Sequence, residues 1–394
     1  MRDHPSQRAY PLTAYAAGNC LGRTTDEIVR ALSAGASALR PCPLQLPFDT
    51  ACGVFPGVLE PLPLSLAAYD SRLSRIALAV LDGLAGAVDR AIRRWGRDRV
   101  GVVVGTSTGG ILESERAERA HAESGVLPPT FNFDRQHAFH GILEVIRLRT
   151  GAGGPACVIS TACSSSGKVL GSARRMMAAG LADAVIAGGV DSLCHTTLRG
   201  FASLQALSTR ACRPFSAERD GTSIGEGGAF LLLERGGDAA VRLLGVGESS
   251  DAHHMSHPHP EGLGARLAME EALRQAGLEP GAVDHVNAHG TGTPASDVAE
   301  AKAIAAVVGT RTPVTSTKGY SGHLLGAAGA TEAVFAALSI EHAFVPESLG
   351  AAPVDPLITV DVCLRRRQGR LTAVLSNSLA FGGSNVSVLL GGTA

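Results

Sequence analysis

Short apolar runs alternate with longer segments of helical periodicity along most of the chain. The apolar runs predict buried strands at residues 11–17, 100–105, 184–189, 230–234 and 241–246. Helical periodicity predicts a long amphipathic helix over residues 71–94, and Thr25 is the predicted N-cap of a helix over residues 26–33. Apolar strands that alternate with helices are typical of an α/β protein with buried sheets.

A second series of the same kind begins near residue 241. It predicts helices over residues 264–276, 296–308 and 326–340, and strands over residues 283–288, 373–376 and 386–390. We therefore divide the chain into an N-terminal part, residues 1–240, and a C-terminal part, residues 241–394. The two parts show no clear sequence repeat. Residues 111–140 and 192–224 are less regular.

The composition excludes several classes of function. The chain of 394 residues is long enough for two domains, and 48 glycines with only 4% aromatic residues suit close contacts between helices and sheets. A formal net charge of −1 gives no indication of a nucleic acid or an anionic membrane as partner. We see no signal peptide and no apolar stretch long enough to span a bilayer. The eight cysteines lack CxxC pairs, so we expect reduced thiols in the cytoplasm, without structural zinc.

Cys163 lies in the stretch 158–167, where an apolar run leads in, small residues follow, and a helical pattern continues through Met177. This predicts a strand, a sharp turn and a helix, with a thiol at the turn. A helix N-terminus stabilises a thiolate, and its free N–H groups can stabilise an oxyanion beside the sulfur. A buried structural cysteine remains the alternative, because a free cysteine packs like a small apolar residue.

Two histidines lie in glycine-rich loops that follow predicted strands. His289 stands in Asn287-Ala288-His289-Gly290-Thr291-Gly292-Thr293, and His323 follows Lys318-Gly319-Tyr320-Ser321-Gly322. Loops at strand ends often carry catalytic groups. A thiol with two imidazoles offers a nucleophile and two groups that exchange protons near neutral pH. Lys318 could bias the protonation or orientation of His323, although by itself it would more often be a surface lysine.

Together these segments resemble the active-site motifs of the β-ketoacyl-(acyl carrier protein) synthases, condensing enzymes of the thiolase superfamily. The order is a cysteine elbow, an HGTxT motif, a K-x-x-x-G-H-type motif and a Gly-Phe-Gly-Gly-like loop, here Ala380-Phe381-Gly382-Gly383. The resemblance covers nearly the whole chain. It implies an α/β thiolase-like fold of two similar βαβαβαββ halves, layered α-β-α-β-α.

The resemblance also implies a decarboxylative Claisen condensation. Cys163 would carry the acyl group, and His289 and His323 would stabilise the enolate formed from a malonyl-carrier protein. The N–H groups of Cys163 and Phe381 would form the oxyanion hole, and Phe381 would gate the acyl tunnel. The remaining implied roles are support of His323 by Lys318 with a buried Glu332, and pantetheine binding by Thr291 and Thr293.

No resident cofactor is implied, because the phosphopantetheine belongs to the carrier protein. The implied partners are an acyl carrier protein and a second subunit, in a homodimer or in a heterodimer with a chain-length-factor-like protein. The stretch 251–260 carries four histidines within seven residues. Two prolines make it an extended loop, and the resemblance implies that this loop lies at the tunnel entrance, so we expect an entrance there and no metal site.

Three departures from the family pattern favour a specialised pathway, with aryl polyene biosynthesis as the leading hypothesis. They are Leu379 and Ala380 before Phe381, Tyr320 after Gly319, and the elbow sequence Ala162-Cys163-Ser164-Ser165-Ser166.

Other protein classes share part of this set of residues. A fatty-acid elongation synthase would share all the catalytic residues, and a non-catalytic chain-length factor would usually lack the cysteine. A thiolase needs a second cysteine in a C-x-G motif, which Cys363 does not provide. A cysteine peptidase would leave the second histidine loop without a role.

Overall fold

The computed structural model describes residues 9–393, which form sixteen strands and eleven α-helices. The strands are β1 Tyr10–Asn19, β2 Arg40–Pro41, β3 Ala51–Gly53, β4 Val100–Gly105, β5 Ala156–Ile159, β6 Ala184–Asp191, β7 Ile224–Gly225, β8 Gly227–Glu234, β9 Val241–Ser250, β10 His285–Asn287, β11 Pro313–Thr315, β12 Phe344–Val345, β13 Asp361–Val362, β14 Arg367–Gln368, β15 Ala373–Ala380 and β16 Ser384–Gly392. The helices are α1 Thr25–Ala34, α2 Arg72–Leu81, α3 Ala85–Trp95, α4 Ile111–Ser124, α5 Phe139–Thr150, α6 Ser165–Ala178, α7 His195–Ser203, α8 Leu263–Ala276, α9 Pro294–Val308, α10 Lys318–Ser321 and α11 Ala328–Glu341.

The main sheet has eleven strands and shows the same pairing pattern twice. In the N-terminal part, β1 pairs antiparallel with β8, β8 antiparallel with β6, and β6 parallel with β4, which pairs parallel with β5. In the C-terminal part β9, β16, β15, β10 and β11 repeat these relations in the same order. The two sets join where Tyr10 and Pro11 pair with β9. The division at residues 240/241 stays a prediction, and the start of β9 at Val241 supports it.

Helices α6 and α11 form the central layer of the molecule. Both contact strands of the two halves, and every residue of α11 from Ala328 to Ile340 is buried. Glycines allow the close approach: a Cβ on Gly329 would lie 2.5 Å from the backbone nitrogen of Gly167. Helices α2, α3 and α5 cover the N-terminal strands, while α8 covers β9 and β16, with α9 packed against α8. The predicted α-β-α-β-α layering is confirmed.

Three local predictions differ from the structure. The helix expected over residues 71–94 is broken by a 3₁₀ turn at Asp82–Leu84, where Gly83 packs so closely that an added Cβ would lie 3.0 Å from Ala16. The N-cap is Thr24, whose hydroxyl accepts from the backbone of Glu27 in a capping box. Residues 111–124, expected to be irregular, form α4, because this stretch is rich in Ala, Glu and Arg.

Small segments attach to this framework around the site. Strands β2, β3 and β7 form a separate three-stranded sheet, in which β3 lies between the other two. Among residues 9–393, no helix is both long enough and apolar enough to cross a membrane.

Candidate active site

Cys163 lies in a tight turn between β5 and α6, as the sequence predicts. Ala162 has a left-handed backbone with φ of 51°, a conformation that costs energy for a residue with a Cβ. Ser165 holds the turn closed: its hydroxyl accepts from the N–H of Thr161 at 2.9 Å and donates to the carbonyl of Ala162 at 2.6 Å. The nucleophile therefore lies on a strained, cross-linked elbow at the start of α6.

His289 follows β10 in a loop that two buried carboxylates hold. Glu300, on α9, accepts from the backbone N–H groups of His289 and Gly290, both at 2.8 Å. Asp297, one turn earlier on α9, accepts from the N–H of Gly292 at 3.1 Å. Because both carboxylates are on one helix, α9 fixes the backbone of the whole histidine loop.

His323 lies between α10 and α11 and is held through its backbone. Its N–H donates to the carbonyl of Ser223 at 2.7 Å, and its carbonyl accepts from the N–H of Gly225 at 2.9 Å. His323 also forms a β-bridge with Ile224, so β7 runs alongside it. The segment 223–225 thus sets the position of the second imidazole.

The predicted nucleophile and both histidines line one cavity. The rings of His289 and His323 are nearly perpendicular, at 87°, with centroids 5.1 Å apart. Both nitrogens of His323 and Nδ1 of His289 are buried and have no hydrogen-bond partner among the described residues. These nitrogens are therefore available to a group that enters the cavity beside Cys163.

All three groups are uncharged at rest. Burial raises the pKa of Cys163 to about 12, although the nearby Lys318 opposes the shift. Burial, followed by the charge of Lys318, holds the pKa of both His289 and His323 well below the ordinary value. The sequence predicted a thiolate stabilised by the helix dipole, but burial dominates, so the cysteine rests as a thiol beside neutral imidazoles.

Lys318 and Glu332 form a buried ion pair below the cavity. The Nζ atom of Lys318 lies 2.5 Å from Oε1 of Glu332, and their side chains are 1% and 5% exposed. Burial raises the pKa of Glu332 to about 7, against the opposing effect of Lys318. Among the described residues no hydrogen bond joins Lys318 to His323, so the lysine acts on the histidines through its charge and not by direct contact.

Phe381 closes the cavity from one side. It lies in a turn after β15 and is 37% exposed. Its ring packs against Phe201 of α7, with centroids 5.4 Å apart, and Phe201 in turn meets the edge of His323 at 6.5 Å. The cavity that these phenylalanines border is small, about 50 Å³.

Thr291 and Thr293 lie at the mouth of the same cavity, with their hydroxyls 2.9 Å apart. Of the histidine-rich loop, His254 and His257 also line this mouth. Nδ1 of His254 accepts from the N–H groups of Ser256 and His257, so this ring stabilises a turn. Within residues 9–393, no group of three or more His, Cys, Asp or Glu side chains is placed to hold a metal ion.

Sequence reasoning missed four residues that shape the site: Ser165, Asp191, Phe201 and Glu300. Asp191 is fully buried and accepts from Thr106, Ser107 and Ala327, which ties the loop after β4 to the start of α11. The sequence does contain a signal for two of these contacts. Asp297 and Glu300 are three positions apart near the start of a predicted helix, so both carboxylates are expected on one face of it. Phe201 and Asp191 carried no such signal.

Comparisons with known proteins agree with this geometry. The model of the beta-ketoacyl synthase N-terminal domain matches residues 74–239, and that of the C-terminal domain matches residues 240–352. The 3-oxoacyl-[acyl-carrier-protein] synthase 2 of Staphylococcus aureus (strain COL) is 37% identical over 73% of this chain and 74% of its own.

Two solved structures are similar over nearly the whole chain. One is a chain of the complex of the ketosynthase ApeO with its chain length factor ApeC from Xenorhabdus doucetiae, with a TM-score of 0.93, 37% identity and 100% coverage of both chains. The other is the ishigamide ketosynthase/chain length factor, with a TM-score of 0.88, 28% identity and coverage of 98% of this chain and 100% of the other. Since the two family models together match well over half of its length, the chain belongs to the beta-ketoacyl synthase family of carbon–carbon bond-forming acyltransferases.

Proposed function

We propose that Cys163, His289 and His323 catalyse a decarboxylative Claisen condensation between an acyl group and a malonyl-carrier protein. The observation that carries this proposal is the single cavity that holds the thiol together with two buried, neutral imidazoles. One imidazole would suffice for acyl transfer alone, whereas decarboxylation leaves an enolate that needs its own hydrogen-bond donors.

In the first half-reaction, the sulfur of Cys163 attacks the thioester carbonyl of an acyl-carrier protein. The thiol proton passes to a free imidazole nitrogen and then to the sulfur of the leaving pantetheine. The N–H groups of Cys163 and Phe381 stabilise the oxyanion, and the acyl group remains as a thioester on the enzyme. The raised pKa of the thiol means that it must give up its proton as it attacks.

In the second half-reaction, a malonyl-carrier protein places its thioester carbonyl between His289 and His323. Loss of CO₂ leaves an enolate, which both imidazoles stabilise by donating hydrogen bonds. The enolate carbon attacks the acyl carbonyl on Cys163, and the cysteine sulfur leaves. The product is a 3-oxoacyl chain on the carrier protein. The released thiolate of Cys163 takes up one proton and becomes a thiol again.

The reaction requires no resident cofactor, since the pantetheine arrives on the carrier protein. In this proposal Thr291 and Thr293, at the mouth of the cavity, hydrogen-bond the pantetheine arm, and Phe381 swings away to admit the acyl chain. The eight cysteines are unpaired in the structure, which supports a reducing compartment and hence a cytoplasmic location.

We further propose a specialised pathway of the aryl polyene or type II polyketide kind, with a chain-length-factor-type subunit as partner. The full-length similarity to the ApeO–ApeC complex and to the ishigamide pair supports this choice. Leu379 and Ala380 line the cavity beside Phe381, so the residues that depart from the usual loop are in contact with the site. The similarity to a Staphylococcus aureus 3-oxoacyl-[acyl-carrier-protein] synthase keeps fatty-acid elongation as the second candidate.

Mass spectrometry of the intact protein tests the chemistry and the pathway together. The protein is mixed with acyl-carrier proteins that bear short saturated, polyunsaturated or aryl-terminated chains. We expect the wild type and Cys363→Ala, which changes a buried cysteine outside the cavity, to gain the acyl mass, and Cys163→Ala to gain none. Preferred loading of polyunsaturated or aryl-terminated chains supports the specialised pathway, and preferred loading of saturated chains supports fatty-acid elongation.

The same acylation experiment is then repeated with a co-expressed chain-length-factor-type subunit. Acylation only in its presence identifies a heterodimer as the active form. Failure of the wild type to become acylated from any donor, with or without the partner, overturns the proposed activity.

A further inference from the structure

Cys42 and Cys52 form a thiol pair on the small sheet of β2, β3 and β7. Strand β2 pairs with β3 so that Arg40 faces Cys52, and the N–H of Cys42 donates to the carbonyl of Thr50 at 3.0 Å. Cys42 and Cys52 therefore project from the same face of neighbouring strands, on a diagonal. The two thiols interact closely enough for each to shift the pKa of the other.

The two thiols differ in exposure and acidity in the way that an attacking and a resolving cysteine differ. Cys42 is half-buried and lines an open groove beside Arg40 and Arg210. The interaction with Cys52 lowers the pKa of Cys42 to about 7, against the effect of burial. Cys52 is fully buried, and its pKa is raised by the same interaction and by burial. A small oxidant in the groove thus meets a partly ionised thiol first.

The pair is connected to the catalytic histidine through the backbone. Strand β3 pairs with β7 at Cys52 and Ile224, and Ile224 in turn bridges to His323. The contact is close: a Cβ on Gly53, next to Cys52, would lie 2.1 Å from the carbonyl oxygen of Ser321. Cys52 and Ile224 also share an apolar cluster with Phe201, whose ring packs against Phe381.

We propose that Cys42 and Cys52 are a peroxide-sensitive thiol pair whose disulfide alters the position of His323 and so slows the condensation. The diagonal placement requires a small shift of β2 or β3 to bring the sulfurs to bonding distance. Strand β3 pairs with β7, and Ile224 of β7 bridges to His323. A shift of β3 is therefore transmitted through β7 to the cavity.

The oxidation balances with one peroxide per pair. The Cys42 thiolate attacks a peroxide oxygen and becomes a sulfenic acid, and the peroxide leaves as hydroxide or alkoxide, which takes up a proton. The thiol of Cys52 then attacks the sulfenic sulfur, a disulfide forms and water leaves. Two thiols lose two electrons and the peroxide gains them. Cys163 is protected from this chemistry because its pKa is raised and it is buried.

Peptide mapping by mass spectrometry tests the modification without reference to activity. After treatment with hydrogen peroxide, the wild type is expected to lose the mass of two hydrogen atoms, to contain a Cys42–Cys52 cross-linked peptide, and to recover with dithiothreitol. Cys52→Ala is expected to trap a sulfenic acid at Cys42 that reacts with dimedone. Cys363→Ser, which changes a buried cysteine elsewhere, is expected to behave as the wild type. Oxidation of Cys163 before Cys42, or no cross-link at all, overturns the proposal.

The functional link is tested by the rate of Cys163 acylation from the best donor of the panel. We expect the oxidised wild type to be slower by about threefold or more, and dithiothreitol to restore the rate. Cys42→Ser is expected to keep its rate under the same treatment. A cross-link that forms without any change in rate refutes the coupling to His323. An inactive reduced wild type instead counts against the proposed function alone.

Discussion

The proposed catalytic side chains are three neutral groups near one buried cation. Burial is the main cause of the low pKa of both histidines and of the raised pKa of Cys163. Lys318 hydrogen-bonds to neither histidine, yet its charge lowers the pKa of both further and opposes the shift of Cys163. A neutral imidazole can accept a proton at one nitrogen and donate a hydrogen bond from the other. Lys318 therefore acts through its charge: together with burial, it keeps both imidazoles neutral.

The pH dependence of malonyl decarboxylation reports this effect. A lowered pKa keeps an imidazole neutral at every pH above it, so the wild type should stay active as the pH falls through ~6.5, where an ordinary histidine titrates. In Lys318→Ala the charge is removed, the pKa values of the histidines rise, and the acid limb of the profile should move to higher pH. CO₂ release measured from pH 5 to 8 checks this expectation.

An acid limb at the ordinary histidine value in the wild type would contradict it, as would a limb that does not move in Lys318→Ala. Lys302→Ala is the matched control, because that lysine pairs with Glu261 at the surface.

Among single residues, the sequence predicted those that belong to local motifs. Cys163, His289, His323, Phe381 and the two threonines all line the cavity, and Lys318 meets Glu332. Glu300 was missed although the residues it holds, His289 and Gly290, lie only 10–11 positions before it; Phe201 was missed because its role depends on a contact with a distant part of the chain. Phe201 reaches His323 only through the fold of α7, which no spacing in the sequence encodes.

At the scale of elements, the nucleophile depends on how β5 joins α6. The turn places Ala162 in a left-handed conformation, and the hydroxyl of Ser165 hydrogen-bonds to the backbone of both Thr161 and Ala162. Helix α6 can begin close to the sheet because Gly105 and Gly189 leave room: a Cβ on either would lie 2.7 Å from an atom of Ser166. The strain is balanced by hydrogen bonds and packing that the rest of the fold supplies.

Ser165→Ala tests this support. The change leaves the N–H of Thr161 without its acceptor, so we expect a loss of about 1–3 kcal/mol of folding free energy and slower acylation of Cys163. Ser172→Ala on the same helix is the control; its hydroxyl accepts only from the exposed Arg175, so a change within about 0.5 kcal/mol is expected. Urea unfolding and acyl-loading rates check both. Equal losses in the two variants would refute a special role for Ser165.

Element boundaries show where sequence patterns are insufficient. The apolar runs identified the central strands because a buried strand is apolar regardless of its neighbours. The break at Asp82–Leu84 has a different origin, the contact of Gly83 with Ala16 of β1. Periodicity continues through this break, so only the packed structure reveals it.

Within residues 9–393 the main sheet has two edge strands, β13 at one end and β5 at the other. Strand β5 leads to Cys163, and all of its residues are partly exposed. An apolar edge strand is a template for pairing with another chain. This supports a dimer in which a second subunit covers β5 next to the nucleophile.

Val158→Lys tests this arrangement by placing a charge on the edge strand. Because Val158 also packs against the core of the N-terminal half, urea unfolding first confirms that the variant is folded. If β5 pairs with the same strand of a second copy, two lysines meet, and association should weaken about tenfold or more. Leu64→Lys is the control, since that leucine is 96% exposed on a different surface. Light scattering over a concentration series measures the self-association, and a pull-down with the co-expressed partner covers the heterodimer. Unchanged association of Val158→Lys in both would show that the edge is not the interface.

The repeated strand pattern has a consequence for synthesis on the ribosome. The cysteine comes from the first half and both histidines from the second, and α11, which fills the centre, is made after them all. At about 5–20 residues per second, the nucleophile leaves the ribosome many seconds before its proton acceptors. During that interval the nascent chain carries a cysteine without the groups that activate it. The proposed active site can therefore form only after the second half of the fold has been synthesised.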